Sequence, residues 1–144
     1  MTFDWNEGHL STYEELNRYY SLADCLVNPT RAEGFGLTPY EALLCGLKVV
    51  NTSDGETFKG ARFPHKEYLD GYIYPISYKI TPKVWQHSVW QIDGIWAEPD
   101  LESLKEQLKS SYLTERKAAR DYISNNFSLQ KIGYLWKDFL TSII

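Results

Sequence analysis

PTRAEGFGLTPYEALLCG, residues 29 to 46, sets two carboxylates, Glu33 and Glu41, around a glycine turn that runs into an apolar helix. The stretch just before it, Asp24-Cys25-Leu26-Val27-Asn28-Pro29, is a short apolar run closed by Asn-Pro, the pattern of a buried parallel strand. Just after it, Leu47-Lys48-Val49-Val50-Asn51-Thr52 reads as a second buried strand with a turn at Ser53–Gly55. Strand, helix and strand joined by few residues point to an α/β layer fold with a parallel sheet.

Working outward, residues 10–24 read as a helix capped by Ser11, with Glu14 three positions on completing a capping box. Its apolar stripe is Leu16, Tyr19, Tyr20 and Tyr13. In the central helix Thr38 is the expected N-cap, Pro39 the first helical residue and Gly46 the left-handed stop. Residues 56–92 hold no sustained period, several prolines and many aromatics, and read as a long excursion with short strands or helical turns. Residues 93–99 look like a third strand, with Asp100 capping a helix that places Leu101, Leu104 and Leu108 on one face. Thr114 is expected to open a further helix and Ser128 a last one. In that last helix Ile132, Leu135, Trp136, Phe139, Leu140 and Ile143 form an apolar stripe. The 144 residues read as one α/β domain: a core at 8–55, the aromatic excursion at 56–92, and a strand with C-terminal helices at 93–144.

Bulk properties exclude several functions. A net charge of -4 and the absence of a basic stripe argue against a general nucleic-acid binder. No stretch approaches the roughly 20 apolar residues of a bilayer span, and Met1–Leu10 lacks the layout of a signal peptide. Cys25 and Cys45 both sit in apolar runs, which favours free thiols over a disulfide and a reducing, cytoplasmic setting. Two cysteines without a histidine pattern make a poor zinc site, so no metal is expected. His65 and His87 have no spaced partner and read as incidental. Trp85, Trp90, Trp96 and the tyrosines at 68, 72, 74 and 78 read as core and interface rather than as a sugar-stacking surface.

Two readings of the glutamates remain open at this level. Thr38-Pro39-Tyr40-Glu41 matches a capping box, in which Glu41 only starts a helix and Glu33 sits in a loop. Alternatively, the glycine turn brings backbone close to a ligand, and the helix start offers unpaired N–H groups to a diphosphate. Glu41 then suits ribose hydroxyls, because an ionised carboxylate only accepts hydrogen bonds. Glu33 faces whatever lies beyond the phosphates, at the carboxyl ends of parallel strands where open α/β sheets bind ligands.

Residues 19–50 closely resemble the donor-binding core of retaining glycosyltransferases of family four, which have the two-domain GT-B fold. Glu33, Gly34, Phe35, Gly36, Leu37, Glu41, Ala42 and Gly46 match that family's paired-glutamate signature, and Thr30 stands where serine is usual. The resemblance implies a partial Rossmann-like sheet corresponding to part of the GT-B C-terminal domain. It also implies a nucleotide-sugar donor as substrate, no separate cofactor, and transfer to an acceptor with retention. Glu41 is then expected to bind the ribose and Glu33 to orient the donor sugar as the catalytic glutamate. Gly34, Phe35, Gly36, Leu37 and Thr38 are expected to line the sugar and the diphosphate.

The family's unit that brings an Arg and a Lys to the phosphates, and its acceptor domain, have no recognisable counterpart here. Arg31 and Lys59 are the local candidates for phosphate contacts, against a plain reading as surface charges. The expectation is therefore a piece of a split enzyme completed by a partner chain, or a reduced protein that closes its sheet as a homo-oligomer. The alternative is a non-catalytic module that keeps the nucleotide-sugar pocket for binding or assembly. A Rossmann-type redox domain is disfavoured, since no G-x-G-x-x-G follows a strand.

Overall fold

The computed structural model describes residues 12–54, 68–86 and 91–143. The chain is mixed α/β, in the order α1 (Tyr13–Tyr20), β1 (Cys25–Asn28), α2 (Leu37–Leu44), β2 (Lys48–Asp54), β3 (Tyr74–Gln86), β4 (Gln91–Pro99), α3 (Leu101–Leu113), α4 (Arg120–Phe127) and α5 (Leu129–Ser142). The four strands form one sheet in the order β1-β2-β3-β4. Its first three strands are parallel, with Val27 beside Val50 and Val50 beside Tyr74, and β4 returns antiparallel along β3. The helices flank this sheet, as in a partial Rossmann-like fold.

The strand alternation of β2 divides the core. Val49 packs with Tyr40, Leu43, Leu47, Leu69 and Ile123, joining α2 and α4 to one face. Val50 packs with Tyr74 and Ile76 on the other, where Leu104 of α3 and Cys25 close over them. Both valines are fully buried, each stabilising the fold by roughly 1.5–3 kcal/mol over an exposed position.

Element ends depart from the sequence reading in four places. The cap of α1 is Thr12 rather than Ser11: its hydroxyl accepts from Glu15 N–H at 3.2 Å while Glu15 accepts from Thr12 N–H at 3.1 Å. The excursion contains a 13-residue strand, β3, instead of short pieces, so the strand ending at Pro99 is the fourth. Thr114 closes α3 rather than opening a helix, and residues 114–119 have no regular secondary structure before α4. They are pinned there by Tyr74, whose hydroxyl donates to the Thr114 carbonyl at 2.7 Å, and by Arg116 lying over the Tyr74 ring. The fourth departure, at the start of α2, bears directly on the glutamates.

Gly46 does stop α2, at φ 87°, and Asp100 and Ser128 cap α3 and α5 as expected. Cys25 and Cys45 are free and half-buried. Tyr74 and Tyr78 are buried, and Tyr72 stacks on Tyr122, consistent with aromatics used as core. His65, His87 and Lys59 lie outside the described residues.

Candidate functional site

The glycine turn leaves the carboxyl end of β1 and enters α2 with Gly36, not Thr38, as its N-cap. Gly36 is left-handed (φ 71°, ψ 66°), which an L-residue adopts only at a cost of about 1–2 kcal/mol. Leu37 and Thr38 are therefore the first two helical residues and Pro39 the third. No side chain caps this end, and no acidic residue lies in the first turn. The capping-box reading of Glu41 fails on this geometry: Glu41 is the fifth helical residue.

What fixes the turn is aromatic packing. Phe35 stacks on Tyr40 at 5.0 Å between ring centroids, and both rings meet Phe127 of α4 edge-on. Offset and edge contacts of this kind add about 0.5–1.5 kcal/mol each beyond their area. The position of Phe35 pulls the chain into the helix two residues before the Thr-Pro pair would start it.

Glu41 is oriented by α1. The buried Tyr20 donates its hydroxyl to Glu41 Oε2 at 3.0 Å. Burial, and then this carboxylate, push the Tyr20 phenol well above its ordinary value, so it stays a donor through the whole neutral range. Glu33 is half-buried in the loop, and among the described residues its carboxylate has no hydrogen-bond partner. Gly34 is exposed, its φ lies outside the left-handed region, and a Cβ built on it meets nothing within 4 Å. Neither backbone conformation nor internal packing thus requires glycine at 34.

The loop itself is held from the far side of the sheet. The β3–β4 ribbon curls back so that Ala97 N–H donates to the Arg31 carbonyl at 3.1 Å. Arg31 then grips both oxygens of Glu98, at 2.9 and 2.7 Å. Glu98 raises the Arg31 guanidinium further above its ordinary value. The structure thus places Arg31, a candidate phosphate contact, in a two-pronged ion pair beside the turn. Beneath it, Asn28 at the end of β1 donates to Asn51 Oδ1 of β2 at 2.7 Å.

Tyr20, Asn28, Asn51 and Glu98 were not legible as site residues. Tyr20 falls in a helix stripe and Glu98 sits more than 60 residues along the chain, so only tertiary structure joins them to the turn. Gly34, Phe35, Leu37 and Thr38 of the turn are exposed. Among the described residues a cavity of ≈ 750 Å³ lies at the amino end of the strands, beside Asp24, Cys25 and Lys48. Among the described residues no three His, Cys, Asp or Glu side chains gather as a metal site, and no helix is long and apolar enough to cross a membrane.

Residues 7–66 match the family model of glycosyl transferases group 1, a span that contains the whole glutamate turn and covers less than half of the chain. The match supports a general role in glycosyl transfer. No curated protein and no solved structure matches the chain.

Proposed function

We propose that this chain carries the donor-binding part of a glycosyltransferase site, taking a nucleotide-sugar and passing its sugar to an acceptor with retention. One observation supports this reading best. Two glutamates flank a glycine turn at the carboxyl end of a parallel strand, one without a partner among the described residues and the other already oriented by a buried phenol.

In this reading the Leu37 and Thr38 amides and the positive end of α2 hold the diphosphate. Pro39 contributes no amide, so the anion is received by two residues and by the turn before them. Glu41, steadied by Tyr20, accepts hydrogen bonds from the ribose. Glu33 accepts from hydroxyls of the sugar, and Gly34 leaves the space that the donor fills. Phe35 acts as the anchor of the turn, and Arg31 holds the loop to Glu98 rather than binding phosphate. The acceptor hydroxyl attacks the anomeric carbon from the face the diphosphate leaves. Its oxygen bonds to that carbon as the carbon–phosphate oxygen bond breaks, and the diphosphate takes the proton.

The openness of the turn supports a site completed by a further segment or partner chain, within a GT-B-like arrangement. Free thiols at Cys25 and Cys45 fit a reducing compartment such as the cytoplasm. Glu33→Gln keeps the size and removes the charge. In a transfer assay with nucleotide-sugars it is expected to abolish product while circular dichroism stays native. Wild-type turnover by the variant would overturn the catalytic role of Glu33, and donor binding without turnover by either protein would leave a binding module.

A further inference from the structure

The last helix presents the apolar stripe read in the sequence, but to solvent. Trp136 is 59% exposed, Phe139 55% and Ile143 63%, with Ile132, Leu135 and Leu140 beside them. Trp136 meets Phe139 edge-on at 5.9 Å, and a shallow groove of ≈ 370 Å³ runs between Ile132, Leu135, Trp136 and Phe139. A contiguous apolar surface of this size marks an interaction site.

We propose that α5 pairs with α5 of a second copy of this chain, antiparallel and about a two-fold axis. The charges flanking the stripe select that occupant. Lys131 and Asp138 are seven residues apart, so they lie on the same edge of the apolar face, two turns from each other. In an antiparallel two-fold pair each edge meets the same edge of its mate, running backwards. Centring the axis between Tyr134 and Leu135 sets Lys131 opposite Asp138 of the second copy, and Asp138 opposite its Lys131. Neither side chain has an ion-pair partner among the described residues. The same register sets Trp136 across from Gly133, which has no side chain to obstruct the indole. A parallel pair would set Lys131 against the edge that carries Trp136 and Ile143, leaving both charges unmatched. Burying the face on both copies removes roughly 1,000 Å² from water, the lower bound of a specific interface.

The test is sedimentation equilibrium of the whole chain across a concentration series, with charge-exchange variants. Wild type is expected to dimerise. Lys131→Glu alone and Asp138→Lys alone set like charges together twice per dimer and are expected to weaken it about tenfold or more. The double variant K131E/D138K recreates both pairs and is expected to restore wild-type dimerisation. All three changes are at exposed positions, and thermal melts check that the fold is kept. A chain monomeric at every concentration would overturn the proposal. So would a dimer indifferent to the exchanges, which points to the open edge of β1, or a monomer that binds lipid vesicles through α5.

Discussion

Tyr20 donates its hydroxyl to Glu41 Oε2 at 3.0 Å, joining the end of α1 to the middle of α2. The carboxylate is thereby held before any ligand arrives. In the proposed function its second oxygen accepts from a ligand hydroxyl, and holding the side chain beforehand lowers the ordering cost of binding.

This pairing has a pH signature. The Tyr20 phenol is raised above its value of 10.0, so the folded chain keeps its proton where the unfolded chain loses it. The resulting stability is complete below pH 10 and is lost as pH rises through and beyond that value. Urea titrations between pH 8 and 11 are expected to show it falling. Tyr20→Phe is expected to cost about 1–2 kcal/mol at neutral pH, by leaving the carboxylate one donor short, and to flatten the alkaline slope. An unchanged slope in the variant would assign the alkaline loss elsewhere.

Gly34 separates ligand space from fold. Gly34→Ala meets no atom and no backbone barrier, so it is expected to leave stability unchanged or raise it by about 0.4–1 kcal/mol through the unfolded chain. Donor binding is expected to weaken, because the added methyl occupies the space above the turn. Gly36→Ala is expected to do the opposite to stability, losing about 1–2 kcal/mol at a left-handed position. Thermal melts and calorimetry on the two variants measure both effects.

Arg31 and Glu98 form a two-pronged clip beside the turn. The Arg31 side chain is half exposed and that of Glu98 about a third, so solvent screening keeps the pair's contribution to stability small. Arg31→Gln is expected to cost no more donor affinity than Glu98→Gln, and the double variant no more than the larger single loss. A loss from Arg31→Gln well beyond that from Glu98→Gln would instead make Arg31 a phosphate ligand.

The parts of the fold legible in the sequence were those set by local rules. β1 and β2 are apolar runs bounded by turn residues, and Asp100, Ser128 and Gly46 are terminal signals with one dominant use. β3 does alternate, with Tyr74, Ile76 and Tyr78 buried and Pro75, Ser77 and Lys79 less so, but its prolines hid the pattern. It pairs with β2 as far as Ser77 and with β4 from Tyr78. Pro75 and Pro82 argue against a central strand, yet each sits where only one side of β3 is paired. The glutamates were found from their spacing around the turn, whereas the start of α2 was misplaced. Stacking of Phe35 on Tyr40 and its edge contact with Phe127 outweigh the Thr-Pro signal, and Phe127 is remote in the chain. Tyr20 escaped for the same reason: nothing local distinguishes a tyrosine that packs from one that also orients a carboxylate.

Calorimetric titration with UDP, GDP, ADP and their sugar conjugates, beside Glu41→Ala and Glu33→Gln, tests the donor site most directly. Binding of one nucleotide class is expected, weakened at least tenfold by Glu41→Ala, about 1.4 kcal/mol. Glu33→Gln is expected to weaken the sugar conjugate while sparing the bare diphosphate. Equal affinity in all three proteins, or no binding by a folded chain, would contradict a donor site at this turn.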